Sequence, residues 1–487
     1  MGLAHAAKQG PTVAVIGGGV SGSLFALKFA RAQPNARVIL IERSRRVGRG
    51  LAYGACTPHH LLNVPVARME VGLTPGFTDW LRARTVLLGE ALVESGGDLA
   101  AAFVPRELFG AYLEERVLAA VSPDPRRGFA IVRGEAVRLL DFPRRGVLLG
   151  DGREIAADRI VLATGNLPPR PPRSQDDWLY DTQLFVPDPW ADDAFEGLAP
   201  EAPVVLLGSG LTMVDVALKL AGGGHVGPIH AVSRHGLLPL VHRSGGEWQP
   251  FHDPKTHVPP LTLMRRIRSE ARRAEAGGVP WQRVMDTMRP AVARVWHGWS
   301  VKDRAQFLRH LRARWDVHRH RMAPRVAARI AALRAGGQLH VMAGRVQGYH
   351  PREDAVDVEI AARGAGRTQI HIQAARVINC TGPRSDMDRL AIPLLADLRR
   401  RGLIAPDPLG LGIETQDCAA LGSAGHLSPW LYALGPLTRP SWWEIVAVPE
   451  INAQVDRLIG DLSAPRETRT QTPPLLAELF ADLGSGI

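Results

Sequence analysis

Cysteine is scarce in this 487-residue chain, with three residues: Cys56, Cys380 and Cys418. None forms a Cys-x-x-Cys pair, so neither a disulfide framework nor a dithiol relay is expected. Cys380 lies in an apolar run and reads as a small core residue. No cluster has convincing metal-ligand spacing, and no metal is expected. Long apolar runs are missing too, which argues against a membrane span. The opening residues Met1–Lys8 carry one charge and no apolar core, a poor signal peptide, so a cytoplasmic location is expected. Lysine is rare: it supplies five of the 59 basic residues, and arginine the rest. The formal charge of +11 is scattered and includes no basic tail, which argues against nucleic acid. Guanidinium forks suit phosphates and carboxylates, so an anionic cofactor and a small anionic substrate are the simpler partners. The chain is long enough for two or three domains.

Two glycine-rich segments stand out. Val13–Ile16 is an apolar run followed by Gly17-Gly18-Gly19-Val20-Ser21-Gly22, and Val204–Leu207 is followed by Gly208-Ser209-Gly210-Leu211-Thr212-Met213. Each run reads as a buried parallel strand, and each glycine turn opens a helical pattern. A matching strand ending in Thr-Gly lies downstream of each: Ile160–Gly165, with Ala163, Thr164 and Gly165 at its tip, and Val377–Gly382, with Thr381 and Gly382. One chain is therefore expected to hold two dinucleotides.

In the first segment Gly17 allows the turn, Gly19 lets the backbone approach a pyrophosphate, and Gly22 lets helix and strand pack closely. Val20 and Ser21 open the helix whose amides face the phosphates. Glu42 ends the next strand, about 20 residues beyond Gly22, where an acid meets a ribose hydroxyl. Arg43, Arg49 and Tyr53 lie close behind it, the last two in the glycine-bearing stretch Gly48–Gly54. Polar His60, Asn63 and Arg68 then punctuate an apolar loop. Asn63 and His60 are expected near a flavin ring, and Arg68 as a substrate anchor. In the second segment Met213 replaces the third glycine. Ser233 and Arg234 follow the next strand, where they suit a 2′-phosphate; NADPH is therefore favoured over NADH.

The order strand–glycine turn–helix–strand–meander–Thr-Gly strand occurs twice. The expected fold is α/β, with two Rossmann-like dinucleotide-binding domains and a helical insertion. The meanders are expected over 127–165, with a turn at Asp151-Gly152, and over 343–373. The domains are expected at 1–170 with 375–487, and at 190–374, with the insertion over 255–335. Within the insertion, Trp315, His318 and Arg319 are expected on one helix face. A strand over Leu431–Gly435 and a helix over Glu444–Ile459 are expected to return to the first domain, bringing Gly435, Trp443 and Glu444 to the cofactor. Residues 464–474 read as a polar tail.

These motifs resemble the flavoprotein family of FAD-dependent urate hydroxylase and L-aspartate N-monooxygenase. The resemblance rests on Gly17–Gly22, Gly48–Gly54 with His60–Pro65, Gly208–Asp215, Trp315–Arg321, Asn379–Pro383 and Trp443–Ile451. It implies that NAD(P)H reduces FAD, that O2 then adds, and that a flavin peroxide hydroxylates a small nitrogen-rich anion, a urate-like purine ahead of an amino-acid amine. The Phe-x-Gly-x-x-x-His signature of Baeyer–Villiger enzymes is missing, since Leu184–Trp190 stands there. Two alternatives remain: a reductase passing electrons to a quinone or protein, and a non-catalytic flavin-binding protein.

Overall fold

The computed structural model describes residues 10–464, apart from 125, 142, 173–176, 365–367, 384–386 and 388–391. The expected polar tail falls almost wholly outside them. Two seven-stranded sheets carry the architecture, and a three-stranded sheet is attached.

The first sheet is built on Thr12–Ile16. This strand pairs in parallel with Arg37–Glu42 on one side and with Arg159–Leu162 on the other. Phe129–Arg133 extends it in parallel beyond Arg37–Glu42. Its residues are apolar because helices or chain segments cover both faces. The helix Val20–Ala32 presses Leu24, Phe25 and Phe29 onto one face with Val13, Val15 and Leu40. Ala14, Ile16 and Ile39 point into a second core on the other face. Each large side chain so buried contributes about 1.5–3 kcal/mol.

The end of the chain completes this sheet. Leu427–Ala433 pairs in parallel with Arg159–Leu162, and Ala419–Leu421 and Thr415–Gln416 follow in antiparallel order. The strand starts four residues before the expected Leu431. The terminal helix runs Val448–Ser463, later than the expected Glu444, with Pro449 in its first turn. Proline suits that position because its missing amide is not needed there.

The second sheet is built on Val204–Leu207, flanked in parallel by Ile229–Ser233 and Arg376–Asn379. The strand Arg376–Asn379 therefore lies with the second sheet, beyond the end expected for that unit at 374. Phe185–Val186 also joins this sheet, ahead of the expected start at 190. Leu339–Pro351 is long enough to pair in parallel with Ile229–Ser233 and then antiparallel with Val356–Ala362, which continues to Gln369–Ala374. The expected meander at 127–165 is smaller than its span. Phe129–Arg133 belongs to the first sheet, and only Ala136–Leu140, Gly146–Leu149 and Glu154–Ala156 form an antiparallel unit.

The insertion consists of helices Pro260–Ala276, Trp281–Gly298, Val301–Gln306, Arg312–Arg319 and Pro324–Ala335, with a π-helical turn at Phe307–Leu311. Its aromatic core of Trp296, Trp299, Phe307 and Trp315 takes in Trp443 from the end of the chain.

Candidate cofactor and substrate site

Gly17 has φ +106°, and a Cβ there would meet the Ala163 carbonyl oxygen at 2.3 Å. A Cβ on Gly22 would meet the Gly17 carbonyl oxygen at 1.9 Å. These two positions admit only glycine, and they press the turn against the Ala163–Thr164 strand end. Gly19 faces Gly50, whose Cα would lie 3.4 Å from an added Cβ. No side chain caps the helix at Val20 and Ser21, so its first amides are left for a ligand. The Thr164 hydroxyl is buried with no hydrogen-bond partner. Glu42 is buried; its carboxylate accepts the Gly18 amide at 2.6 Å and the Ser44 amide at 2.7 Å, so it braces the turn. Gly165 has φ +73° beside it. This is a cradle with unfilled donors, and it fits the diphosphate of an adenine dinucleotide.

Gly435 closes the cradle. It has φ +71°, and a Cβ there would lie 2.5 Å from the Ser21 hydroxyl. Its amide donates to Gln454 at 2.8 Å, which fixes the loop to the terminal helix.

The second turn is built alike but is more open. A Cβ on Gly208 would meet the Cys380 carbonyl oxygen at 2.5 Å, whereas one on Gly210 would meet nothing within 4 Å. Leu211 and Thr212 open an uncapped helix. Met213 is fully buried in the core of this unit and occupies the place of the missing glycine. The Ser233 hydroxyl accepts the Gly236 amide at 3.0 Å and lies 2.7 Å from the Ser209 hydroxyl. Arg234 is exposed beside it. Arg363, from the far end of Val356–Ala362, donates to the Arg234 carbonyl at 3.3 Å and contacts His235. Burial and the nearby Arg363, Arg234 and Arg314 push the His235 pKa down. These three arginines have no carboxylate partner among the described residues. Sequence reasoning found Arg234 but missed Arg363, about 130 residues away, because a sheet turn brings them together. Thr381 is held locally, with its hydroxyl 2.7 Å from Asn379, and Gly382 has φ +81°.

Several expected contacts are redirected. Arg43 is exposed and pairs with Glu135 at 3.4 Å. Arg49 is fastened to Glu114 at 2.9 Å. Tyr53 packs on Phe109 with ring centroids 5.1 Å apart, and burial raises its pKa to about 12. His60 does not offer a ring nitrogen to a flavin. It is fully buried; Nδ1 accepts the Thr57 amide at 3.1 Å, and Nε2 donates to the Asp215 carbonyl at 2.9 Å. The histidine therefore ties the first unit to the second fingerprint helix, Leu211–Gly222. Arg106 does the same through the Asp215 carboxylate at 2.9 Å. An acid amid the buried apolar face of that helix was the signal that could have found Asp215.

Trp443 and Glu444 point into the insertion rather than toward the cradle. Trp443 stacks on Trp296 at 4.4 Å. Glu444 accepts the Trp315 indole N–H at 2.8 Å and lies 3.1 Å from Arg319. Arg319 also reaches Glu450 at 3.2 Å, and Arg289 grips Glu450 in a fork at 2.6 and 2.9 Å. Trp315 and Arg319 thus share a buried seam. His318 turns away, bonding the Arg314 carbonyl at 2.7 Å and packing on Trp281.

Asn63 and Arg68 remain at the junction of the two units. The Asn63 carbonyl accepts the His242 ring at 2.7 Å, and its side-chain amide makes no hydrogen bond among the described residues. Burial, then Arg321, pushes the His242 pKa down to about 4. Arg68 is half-buried and has no ion-pair partner among the described residues. Burial and the neighbouring Arg289 lower its pKa. Arg289 is held by Glu450, and Arg283 by Asp286 at 2.8 Å. Arg68 is thus a guanidinium beside cations whose acids are already engaged.

Fold and cradles together define a two-dinucleotide-binding flavoprotein, an FAD-dependent NAD(P)H oxidoreductase. Residues 14–167 match the model of the FAD-NAD(P)-binding family. It is 27% identical to the L-aspartate N-monooxygenase (nitrosuccinate-forming) of Streptomyces cremeus over 58% of this chain and 50% of that protein. An uncharacterized protein of Mycobacterium tuberculosis is 22% identical over 93% of this chain and 95% of its own length. Among solved structures, the ornithine N-hydroxylase of Kutzneria sp. 744 superposes with TM-score 0.63 at 15% identity, covering 93% of this chain and 98% of that one. The L-lysine 6-monooxygenase of Pseudomonas syringae gives 0.63 at 17%, covering 95% and 100%. No helix among the described residues is long and apolar enough to cross a membrane.

Proposed function

We propose that this protein is an NADPH- and FAD-dependent monooxygenase that hydroxylates the nitrogen of a small amine bearing an acidic group. The observation that carries the acidic group is Arg68, a half-buried guanidinium with no ion-pair partner among the described residues, at the junction of the two units. The amine reading draws on the named activities of the aspartate, ornithine and lysine enzymes; each of these names is that of an amine-bearing amino acid and none is that of a purine, so the amine stands ahead of urate.

The turn at Gly17–Gly22 would hold FAD and the turn at Gly208–Met213 NADPH, and the two together would supply the activated oxygen. The chain's own residues do the rest. Arg68 holds the acid of the substrate by a charge-assisted fork. The cations Arg68, Arg283 and Arg289 also favour the neutral form of a nearby amine, which is the form with a lone pair to donate. The Asn63 amide is available to orient the bound amine. The aromatic wall of Trp296, Phe307 and Trp443 closes the insertion side against water.

The test is NADPH oxidation by FAD-loaded protein with aspartate, ornithine or urate, following peroxide and hydroxylamine product together. Stimulated oxidation with hydroxylamine and little peroxide is expected for an acidic amine. Stimulation by urate alone, or peroxide without product for every amine tried, would sink the reading.

A further inference from the structure

The loop after Gly435 carries a second arginine with no ion-pair partner among the described residues. Arg439 sits with its guanidinium 4.3 Å over the Trp443 ring. Its Nε is buried and has no hydrogen-bond acceptor, and no carboxylate lies within ion-pair distance of it among the described residues. Burial, then the nearby Arg312, pushes its pKa down to about 10. Two acids lie nearby, and both are engaged elsewhere: Glu444 with Trp315 and Arg319, and Asp316 with Arg312 at 3.3 Å.

His320 follows the helix Arg312–Arg319, whose Trp315 and Arg319 engage Glu444, and it feels the charges of Glu444, Arg319, Asp316 and Arg439. Its ring nitrogens make no hydrogen bond among the described residues. The π-helical turn at Phe307–Leu311 sets the start of this helix, and such turns recur at functional sites. Removing a guanidinium from water without a counter-charge is costly. A protein that keeps one beside an unbonded imidazole, at the wall between cradle and insertion, is complementary to an anion.

We propose that Arg439 and His320 form a carboxylate-binding subsite, separate from Arg68, that takes an acidic group of the amine substrate. The word substrate rests on the function proposed above; the binding itself does not. The geometry favours a carboxylate because a planar guanidinium over an indole presents its N–H edge sideways, where a two-oxygen acceptor fits.

Succinate, an acid without an amine, is the probe, titrated calorimetrically into FAD-loaded wild type, R439Q and R439K. We expect R439Q to raise the succinate Kd at least about tenfold and R439K to raise it less, since lysine keeps the charge but loses the fork. Bound FAD per chain should be unchanged. R439Q should melt close to wild type, since the stacking on Trp443 is lost but so is the cost of burying an unpaired charge. Equal Kd values in wild type and R439Q, or no binding to wild type, would overturn the subsite. Loss of FAD with an unchanged Kd would assign Arg439 to the cofactor and overturn it too. A Kd shift without hydroxylation of any amine would keep the subsite and remove the proposed reaction. Hydroxylation with an unshifted Kd would do the reverse.

Discussion

An arginine with no acid beside it is informative at the scale of one residue. Arg234 and Arg363 meet at the end of Ile229–Ser233 with no carboxylate among the described residues. Either Arg234→Ala or Arg363→Ala should raise the KM for NADPH about tenfold or more while leaving NADH little changed. Steady-state kinetics with both nucleotides checks this, and equal losses would remove the phosphate role. His242 makes a different prediction. Its folded pKa of about 4 lies below the ordinary 6.5, so the unfolded chain binds the proton more readily. Arg321, Arg283 and Asp286 face it, with the Asn63 carbonyl. Stability should be fullest above pH 6.5, fall as the pH drops toward 4, and level off below. Melting curves across that range should flatten in His242→Gln.

At the scale of the element, the two glycine turns differ in one testable way. Gly22→Ala puts a methyl 1.9 Å from the Gly17 carbonyl oxygen, whereas Gly210→Ala meets nothing within 4 Å. The first substitution should cost FAD content and melting temperature together. The second should leave both intact and weaken NADP+ binding, as read by equilibrium titration, if the open space belongs to the nucleotide. These turns were legible in the sequence because each is local: strand, glycines and helix lie within about a dozen residues, and periodicity reports them. Glu42 was legible at its strand end for the same reason. His60 was misplaced because its partners, Thr57 and the Asp215 carbonyl, are set by how the units meet. Trp443 and Glu444 were expected at the cofactor, and no local pattern could give the direction of their side chains. A helix was expected to begin at Glu444, and the chain instead runs in turns to Val448 and carries both side chains into the insertion. Cys380 read correctly as core: it is 3% exposed, and burial raises its thiol pKa.

At the scale of the molecule, the buried chain Arg289–Glu450–Arg319–Glu444 holds the insertion to the end of the polypeptide. Glu450→Ala would leave Arg289 without an acid and Arg319 with only Glu444. A loss of about 3–5 kcal/mol is expected, the cost of stranding a buried charge. Limited proteolysis should then cut first within 260–335, before the sheets. Resistance equal to wild type would show that the aromatic core alone secures the insertion. The pairing Arg106–Asp215, with His60 on the Asp215 carbonyl, is another fastening between the units, beside the contact of His242 with the Asn63 carbonyl. Both fastenings join residues more than 100 positions apart, which no window of sequence reveals.

The strand Leu427–Ala433 has a consequence for the order of events on the ribosome. The sheet begun at Thr12 gains this strand, and the Gly435 loop that completes its cradle, only after more than 400 residues have emerged. The second sheet, closed by Asn379, has all its strands earlier. A nascent chain is therefore expected to finish its middle before its beginning, with capture of the proposed flavin among the last steps of its synthesis. Chains released early, short of Gly435, should leave the translation machinery colourless.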